Sequence, residues 1–187
     1  MRKQSILLLT LSLIMGYALV FSCTAKKGLQ DNRTIHPSSF QILEKIPVEP
    51  VWAGTRVRYA LLTHDNHQFV AYYDANKQMT VAQRTLDSKE WTFKKLDSYI
   101  AWDSHNYITM ALDEKGHLHV SGNMHGVPLI YFRASKPYDV TSLKLISSMV
   151  GKNERRVTYP HFFKNKDKEL IFTYRDGGSG NGNNFYN

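Results

Sequence analysis

The sequence predicts an all-β protein built as a β-propeller of four-stranded antiparallel blades, and three observations carry that reading. First, a strand, polar turn, strand pattern recurs. Leu61-Leu62-Thr63 leads through His64-Asp65-Asn66-His67 into Phe69-Val70-Ala71-Tyr72-Tyr73. Residues 108–112 lead through Asp113-Glu114-Lys115-Gly116 into Leu118-His119-Val120, and Pro160-His161-Phe162-Phe163 leads through residues 164–168 into residues 170–174. Second, Phe69 to Leu118 and Leu118 to Leu170 are steps of 49 and 52 residues, which suits one four-stranded unit per step. Third, 11 tyrosines and 9 phenylalanines, with little helical periodicity between them, favour pleated, half-buried surfaces.

Taken in order, the chain opens with the build of a bacterial export signal over residues 1–23: Arg2-Lys3, an apolar run from Ile6 to Phe21, then Val20-Phe21-Ser22-Cys23. The run is short for a membrane span. Cys23, the one cysteine, sits where a lipoprotein signal carries its lipid-accepting residue. Val-Phe-Ser-Cys resembles a permissive lipobox, with phenylalanine as its departure from the commonest pattern. The expectation is export from a bacterial cytoplasm and lipid attachment to the cell envelope at Cys23. Ordinary cleavage, giving a periplasmic or secreted protein, is the alternative. Membrane contact is expected only through that anchor, and one cysteine leaves no internal disulfide. Residues 24–50 are polar and punctuated by Pro37, Pro47 and Pro50, as suits a tether or lead-in segment.

The propeller domain is expected over residues 51–187. Its first unit adds strand candidates at 79–82 and 91–96 to those above, and its second adds 129–133 and 142–146. A third unit starts at 160 and reaches Phe185-Tyr186-Asn187. Propellers typically close with 4–8 blades, so about two and a half blades read as an incomplete N-terminal fragment, whose activity alone is not assured. An irregular β-sandwich with look-alike hairpins is the competing fold.

Charge narrows the partners. Outside Arg2 and Lys3 the chain carries 22 basic and 16 acidic residues, a balance of +6, which favours anionic partners. The basic residues are scattered, and no aromatic RNA-binding pattern or zinc-finger spacing accompanies them. Nucleic acid therefore ranks below an anionic polysaccharide. Oligomeric state is open.

Three blocks concentrate the polar chemistry at strand ends: Trp102-Asp103-Ser104-His105-Asn106-Tyr107, then residues 116–125 ending in Gly122-Asn123-Met124-His125, and Tyr174-Arg175-Asp176 with the Gly/Asn-rich loop to Asn183. In their order and composition they resemble the BNR-repeat propeller proteins, in the branch that includes ulvan lyases, over roughly residues 52–187. The sialidase-type Asp box is not properly present, since Asp87-Ser88-Lys89-Glu90-Trp91-Thr92 lacks its glycine.

The chemistry of a uronate lyase can be stated from principle. The C5 proton is removable only once the neighbouring carboxylate is neutralised, a task that suits the planar, permanently charged fork of arginine. A base takes that proton and an acid protonates the departing O4. Tyrosine or histidine can fill either role, and no metal or organic cofactor is required for the chemistry. Whether a structural metal is present is open.

The resemblance implies that His105, His125, Tyr159 and Arg175 are the functional set. Arg175 would neutralise the carboxylate, Tyr159 would transfer a proton, and the histidines would assist or position. Asn106, Asn123 and Asn181 would bind substrate. The residues themselves leave plainer readings open. His105 suits a loop histidine bonded to backbone, and Tyr159, preceding Pro160, suits an extended core or interface tyrosine. Arg175-Asp176 suits a surface ion pair. His117 and His119, alternating with Leu118 and Val120, suit a solvated strand face better than a metal site. The function expected is β-elimination on a uronic-acid-containing polysaccharide. The alternatives are a non-catalytic glycan-binding propeller and a glycoside hydrolase, for which Asp103 and Asp176 are the candidate carboxylates.

Overall fold

A computed structural model of the chain describes residues 41–187. The expected export signal, Cys23 and the first part of the expected tether lie outside the described residues. Residues 44–187 form one compact unit, and it is all-β.

The first sheet follows the first sequence unit: β1 (Ala60–His64), β2 (His67–Tyr73), β3 (Gln78–Thr85) and β4 (Thr92–Tyr99), antiparallel in that order. The lead-in joins it, since Val51 bridges Asp74 and the Trp52 N–H donates to the Tyr73 carbonyl at 2.8 Å. The second sheet comprises β5 (Ile108–Leu112), β6 (Leu118–Gly122), β8 (Tyr131–Ala134) and β9 (Leu143–Leu145), in that order. A 3-10 turn, Val140–Ser142, leads into β9.

The third sheet departs from the sequence pattern. Its own unit supplies β10 (Val157–Lys164), β11 (Leu170–Asp176) and β12 (Asn183–Tyr186). The fourth strand is β7 (His125–Val127), which leaves the second unit to pair with β10. The cause is local. Gly122 ends β6 opposite Ile108, and a Cβ there would come within 2.6 Å of the Tyr107 carbonyl oxygen, so glycine is needed for the close approach. Asn123 then adopts φ 59° and Gly126 φ 70°, left-handed steps that take the chain out of sheet two.

These sheets are propeller blades: β5, the first strand of sheet two, touches both β1 of sheet one and β10 of sheet three. Each inter-blade space is a core. Between sheets one and two lie Phe69, Met79, Val81, Leu118 and Val120, all 0% exposed, with Phe132 and Leu143. Between sheets two and three lie Met124, Tyr131, Val157, Phe162, Phe172 and Tyr174. Each such side chain contributes roughly 1.5–3 kcal/mol of transfer free energy.

Because sheet two is covered on both faces, alternation along β6 does not separate core from solvent. Leu118 and Val120 face sheet one, while His119 faces sheet three, packed against Phe162 with 13% of its side chain exposed. The expectation of a solvated histidine face is therefore corrected. His119 Nε2 meets Asp113 at 3.3 Å and its Nδ1 meets the Tyr131 hydroxyl at 2.8 Å. His117 and Arg133 reach the same carboxylate.

Candidate active site

The site forms where the β4–β5 loop, the β6–β7 turn and the start of β10 with the end of β11 come together. The loop is anchored from below, because the buried Tyr73 hydroxyl donates to the Asn106 carbonyl at 2.6 Å. Asp103 organises its exposed side through an Asx turn, accepting the His105 backbone N–H at 2.9 Å. The same carboxylate takes His105 Nδ1 at 2.7 Å and His125 Nδ1 at 2.5 Å. The two imidazoles stack with centroids 4.0 Å apart.

Burial alone would raise the Asp103 carboxyl. The His105 backbone N–H and both imidazoles outweigh it and hold the carboxyl at about 2. An ionised carboxylate only accepts, so both Nδ1 atoms carry the proton and both Nε2 atoms face away from Asp103.

Tyr159 reaches this pair through a distortion of β10. Val157 pairs with Asp176 and Thr158 with Arg175, but the next pair is His161 with Thr173, so β10 carries one extra residue. At the bulge Tyr159 has φ 60°, a sparsely populated conformation for an aromatic residue, costing of order 1–3 kcal/mol. The extended backbone expected before Pro160 is therefore corrected. Bulges re-aim side chains. This one puts the Tyr159 ring, 42% exposed, 5.8 Å from the His105 ring.

Arg175 completes the group. Thr158 pairs with Arg175 on one side and His125 on the other, and its hydroxyl accepts the Gly126 N–H at 2.8 Å. The Arg175 guanidinium carbon stands 4.9 Å from the centre of the Tyr159 ring. The loop after β11 packs on its stem, with the position a Gly182 Cβ would take 2.9 Å from Arg175 Cγ and Cδ. Arg175 Nε is buried without a hydrogen-bond partner among the described residues. The ion-pair reading of Arg175-Asp176 is corrected as well: no ion pair among the described residues includes Arg175, and Asp176 accepts the Arg156 N–H.

His105, His125, Tyr159 and Arg175 thus form one contiguous group. Beside it, Asn106 and Asn123 line a cleft of about 400 Å³ with Tyr99, Asp103 and His125. The Asn123 amide nitrogen is committed to Ser98 Oγ and the Tyr99 carbonyl, each at 2.9 Å. Asn181 does not line that cleft. It is exposed, and its amide oxygen accepts the Gly178 N–H at 3.1 Å, holding the loop over the Arg175 stem.

Sequence reasoning missed the central part of Asp103, although the Asp-x-His spacing of an Asx turn was there to read. Tyr107, at the end of the same sequence block, lies under Arg58 at 5.3 Å. Burial raises the Tyr107 hydroxyl, Arg58 partly offsets this, and Tyr159 adds to the rise. As for metals, Asp103, His105 and His125 are the one set among the described residues whose ligand atoms come within 4.8 Å of one another. Their 2.5–2.7 Å separations are those of hydrogen bonds, shorter than the roughly 3.3 Å between two ligands on one tetrahedral zinc.

The fold has solved counterparts. The chain is similar to the crystal structure of the polysaccharide lyase Uly1, with a TM-score of 0.62 and 15% identity over 81% of this chain and 42% of that one. It is similar to a PL25 ulvan lyase bound to -[GlcA(1-4)Rha3S]-, with a TM-score of 0.55 and 15% identity over 76% of this chain and 36% of that one. The chain thus spans less than half the length of these lyases, and at such identity the likeness carries the fold alone. No curated protein matched the sequence. The model for a BNR repeat-containing family member matches residues 67–187, and the chain belongs to that family.

Proposed function

We propose that this chain carries the reacting centre of a polysaccharide lyase that cleaves uronic-acid-containing anionic polysaccharides, ulvan-like in character, by β-elimination. The observation that carries the reading is Arg175: a buried, unpaired Nε on a guanidinium that faces a tyrosine, next to two carboxylate-oriented histidines. A cation without an anionic partner among the described residues, beside proton-transfer groups, suits a substrate carboxylate.

In this mechanism Arg175 pairs with the uronate carboxylate through its fork and neutralises it. Tyr159 is the base that takes the C5 proton. The C5–H electrons form the C4=C5 double bond, the C4–O4 bond breaks, and a proton reaches O4 from Tyr159 itself or from a histidine Nε2. Asp103 is the positioning residue that turns both Nε2 atoms outward. Asn106 holds a sugar hydroxyl through its amide, and Asn123 does so through its amide oxygen, since its nitrogen is already committed.

The hydrolase alternative needs a protonated carboxyl as acid. Asp103, at about 2, is a poor proton donor near neutral pH, and Asp176 is occupied by a backbone N–H. Product chemistry tests the proposal. β-Elimination leaves a 4,5-unsaturated uronate that absorbs in the ultraviolet, hydrolysis leaves a new reducing end without it, and a non-catalytic binder leaves the polymer intact. Either of the last two outcomes, from folded protein, rejects the lyase reading.

Residues 1–23 support a proposed export route with lipid attachment at Cys23. Metabolic labelling with palmitate tests it, and absence of label from the exported protein overturns the anchor.

A further inference from the structure

We infer that Trp102, Trp52 and Lys77 form an outer subsite for a sugar ring bearing an anionic substituent, next to the proposed reacting centre. The inference rests on the lyase reading and extends the substrate's footprint beyond the uronate.

Trp102 immediately precedes Asp103, the residue that holds both histidines, and it is 70% exposed. So open an indole on a folded domain invites a partner. Its position is fixed rather than loose: Trp52 meets it edge to face, with centroids 5.2 Å apart and planes at 78°, and the Asp103 hydrogen bonds pin the residue that follows. Lys77 Nζ lies 4.7 Å from the Trp52 ring centre and 6.0 Å from that of Trp102. Among the described residues Lys77 makes no ion pair.

The turn that carries Lys77 is built to hold it there. Lys77 has φ 68°. The buried Asp74 carboxylate accepts the Asn76 and Gln78 N–H groups at 2.8 and 3.0 Å, and is itself paired to Lys95. The Ile100 N–H, two residues before Trp102, donates to the Lys77 carbonyl at 2.9 Å. The turn and the Trp102 loop are therefore one unit. Both lie at the end of sheet one where β2 and β4 finish, the end from which the β4–β5 loop enters the reacting centre.

A rigid aromatic face beside a free ammonium matches the two sides of a charged sugar: C–H groups for the indole and a sulfate ester or carboxylate for the cation. Ala101 and Asp103 flank Trp102 and line the reacting cleft. A polymer crossing this loop meets both sites.

The test uses binding rather than turnover. Ulvan and chemically desulfated ulvan are titrated by calorimetry and intrinsic fluorescence into the full chain, in the Tyr159→Phe background so that no polymer is cut. Trp102→Ala is expected to weaken binding roughly tenfold. Trp102→Phe should recover most of that affinity with a smaller saturable fluorescence change. Lys77→Ala is expected to weaken binding about fivefold, less so at high salt. Loss of the Lys77 effect on desulfated polymer assigns the anion to sulfate, and its persistence assigns it to carboxylate. Unchanged affinity in Trp102→Ala and Lys77→Ala, with wild-type binding intact, overturns the subsite and leaves the lyase reading standing. If neither polymer binds, both fall.

Discussion

Replacing Asp103 by asparagine should separate the electrostatic part of the site from its shape. The surroundings hold the Asp103 carboxyl at about 2 against an ordinary 3.8, so they favour the anion by at most about 2.4 kcal/mol. With 31% of the side chain exposed, solvent screening reduces this to about 1 kcal/mol of stability. The chemical effect is larger. Asparagine offers one oxygen and one NH₂ where aspartate offers two acceptors, so it can accept from one imidazole but must donate to the other. That second ring then carries its proton on Nε2, with Nδ1 as the acceptor. Nitrogen-15 NMR of the imidazoles reads this directly: wild type should show both rings protonated on Nδ1, and Asp103→Asn one ring of each kind. The rate of unsaturated-product formation should fall about a hundredfold, the cost of a misaligned proton-transfer group. Two unchanged tautomers together with a rate within about threefold of wild type would refute the account of Asp103.

Three other perturbations follow from the same geometry. Tyr159→Asn puts a residue tolerant of left-handed backbone at φ 60°; thermal unfolding should show stability equal to wild type or up to about 1 kcal/mol higher, with activity lost. A clear loss of stability would mean the bulge stores no strain. Gly122→Ala drives a Cβ towards the Tyr107 carbonyl, 2.6 Å away, and should cost about 1–3 kcal/mol in denaturant titration while lowering activity through the displaced His105 loop. In acid, Asp113 is the group to follow. Burial raises its carboxyl, but the His117 N–H and the imidazoles of His119 and His117 bring it down from 3.8 to about 2. A carboxyl lowered by folding adds stability that is complete above its unfolded value and is lost as pH falls through its folded one. Unfolding measured between about pH 4 and 2 should lose at most about 2.4 kcal/mol through this residue, and Asp113→Asn should flatten that slope.

Most strands were legible because each sits in a repeating unit whose aromatic and branched residues have few other uses. The resemblance brought His105, His125, Tyr159 and Arg175 forward as a set, whereas the residues by themselves left plainer readings open for each. What sequence could not supply was long-range register. β7 exists only because Gly122, Asn123 and Gly126 steer three residues towards β10, a strand that begins some thirty residues later. Tyr159 faces the histidines only because β10 bulges between Thr158 and His161, whereas the Tyr-Pro pair by itself favours plain extension. His119 was misread for a related reason. Alternation marks a solvated face only when one side of a sheet is uncovered, and in stacked blades neither side is. Asp103 was within reach of local reasoning, but its bond to His125 crosses 22 residues, and that bond makes the pair a unit.

The central claim is that Arg175 and Tyr159 carry out β-elimination on a uronate. The most direct test is ultraviolet absorbance of uronic-acid polymers incubated with wild-type protein, Tyr159→Phe and Arg175→Ala, each verified as folded. Rising absorbance from 4,5-unsaturated ends is expected in wild type and none from either variant. Absorbance that rises equally in all three, or folded wild type that binds these polymers without producing it, would contradict the account.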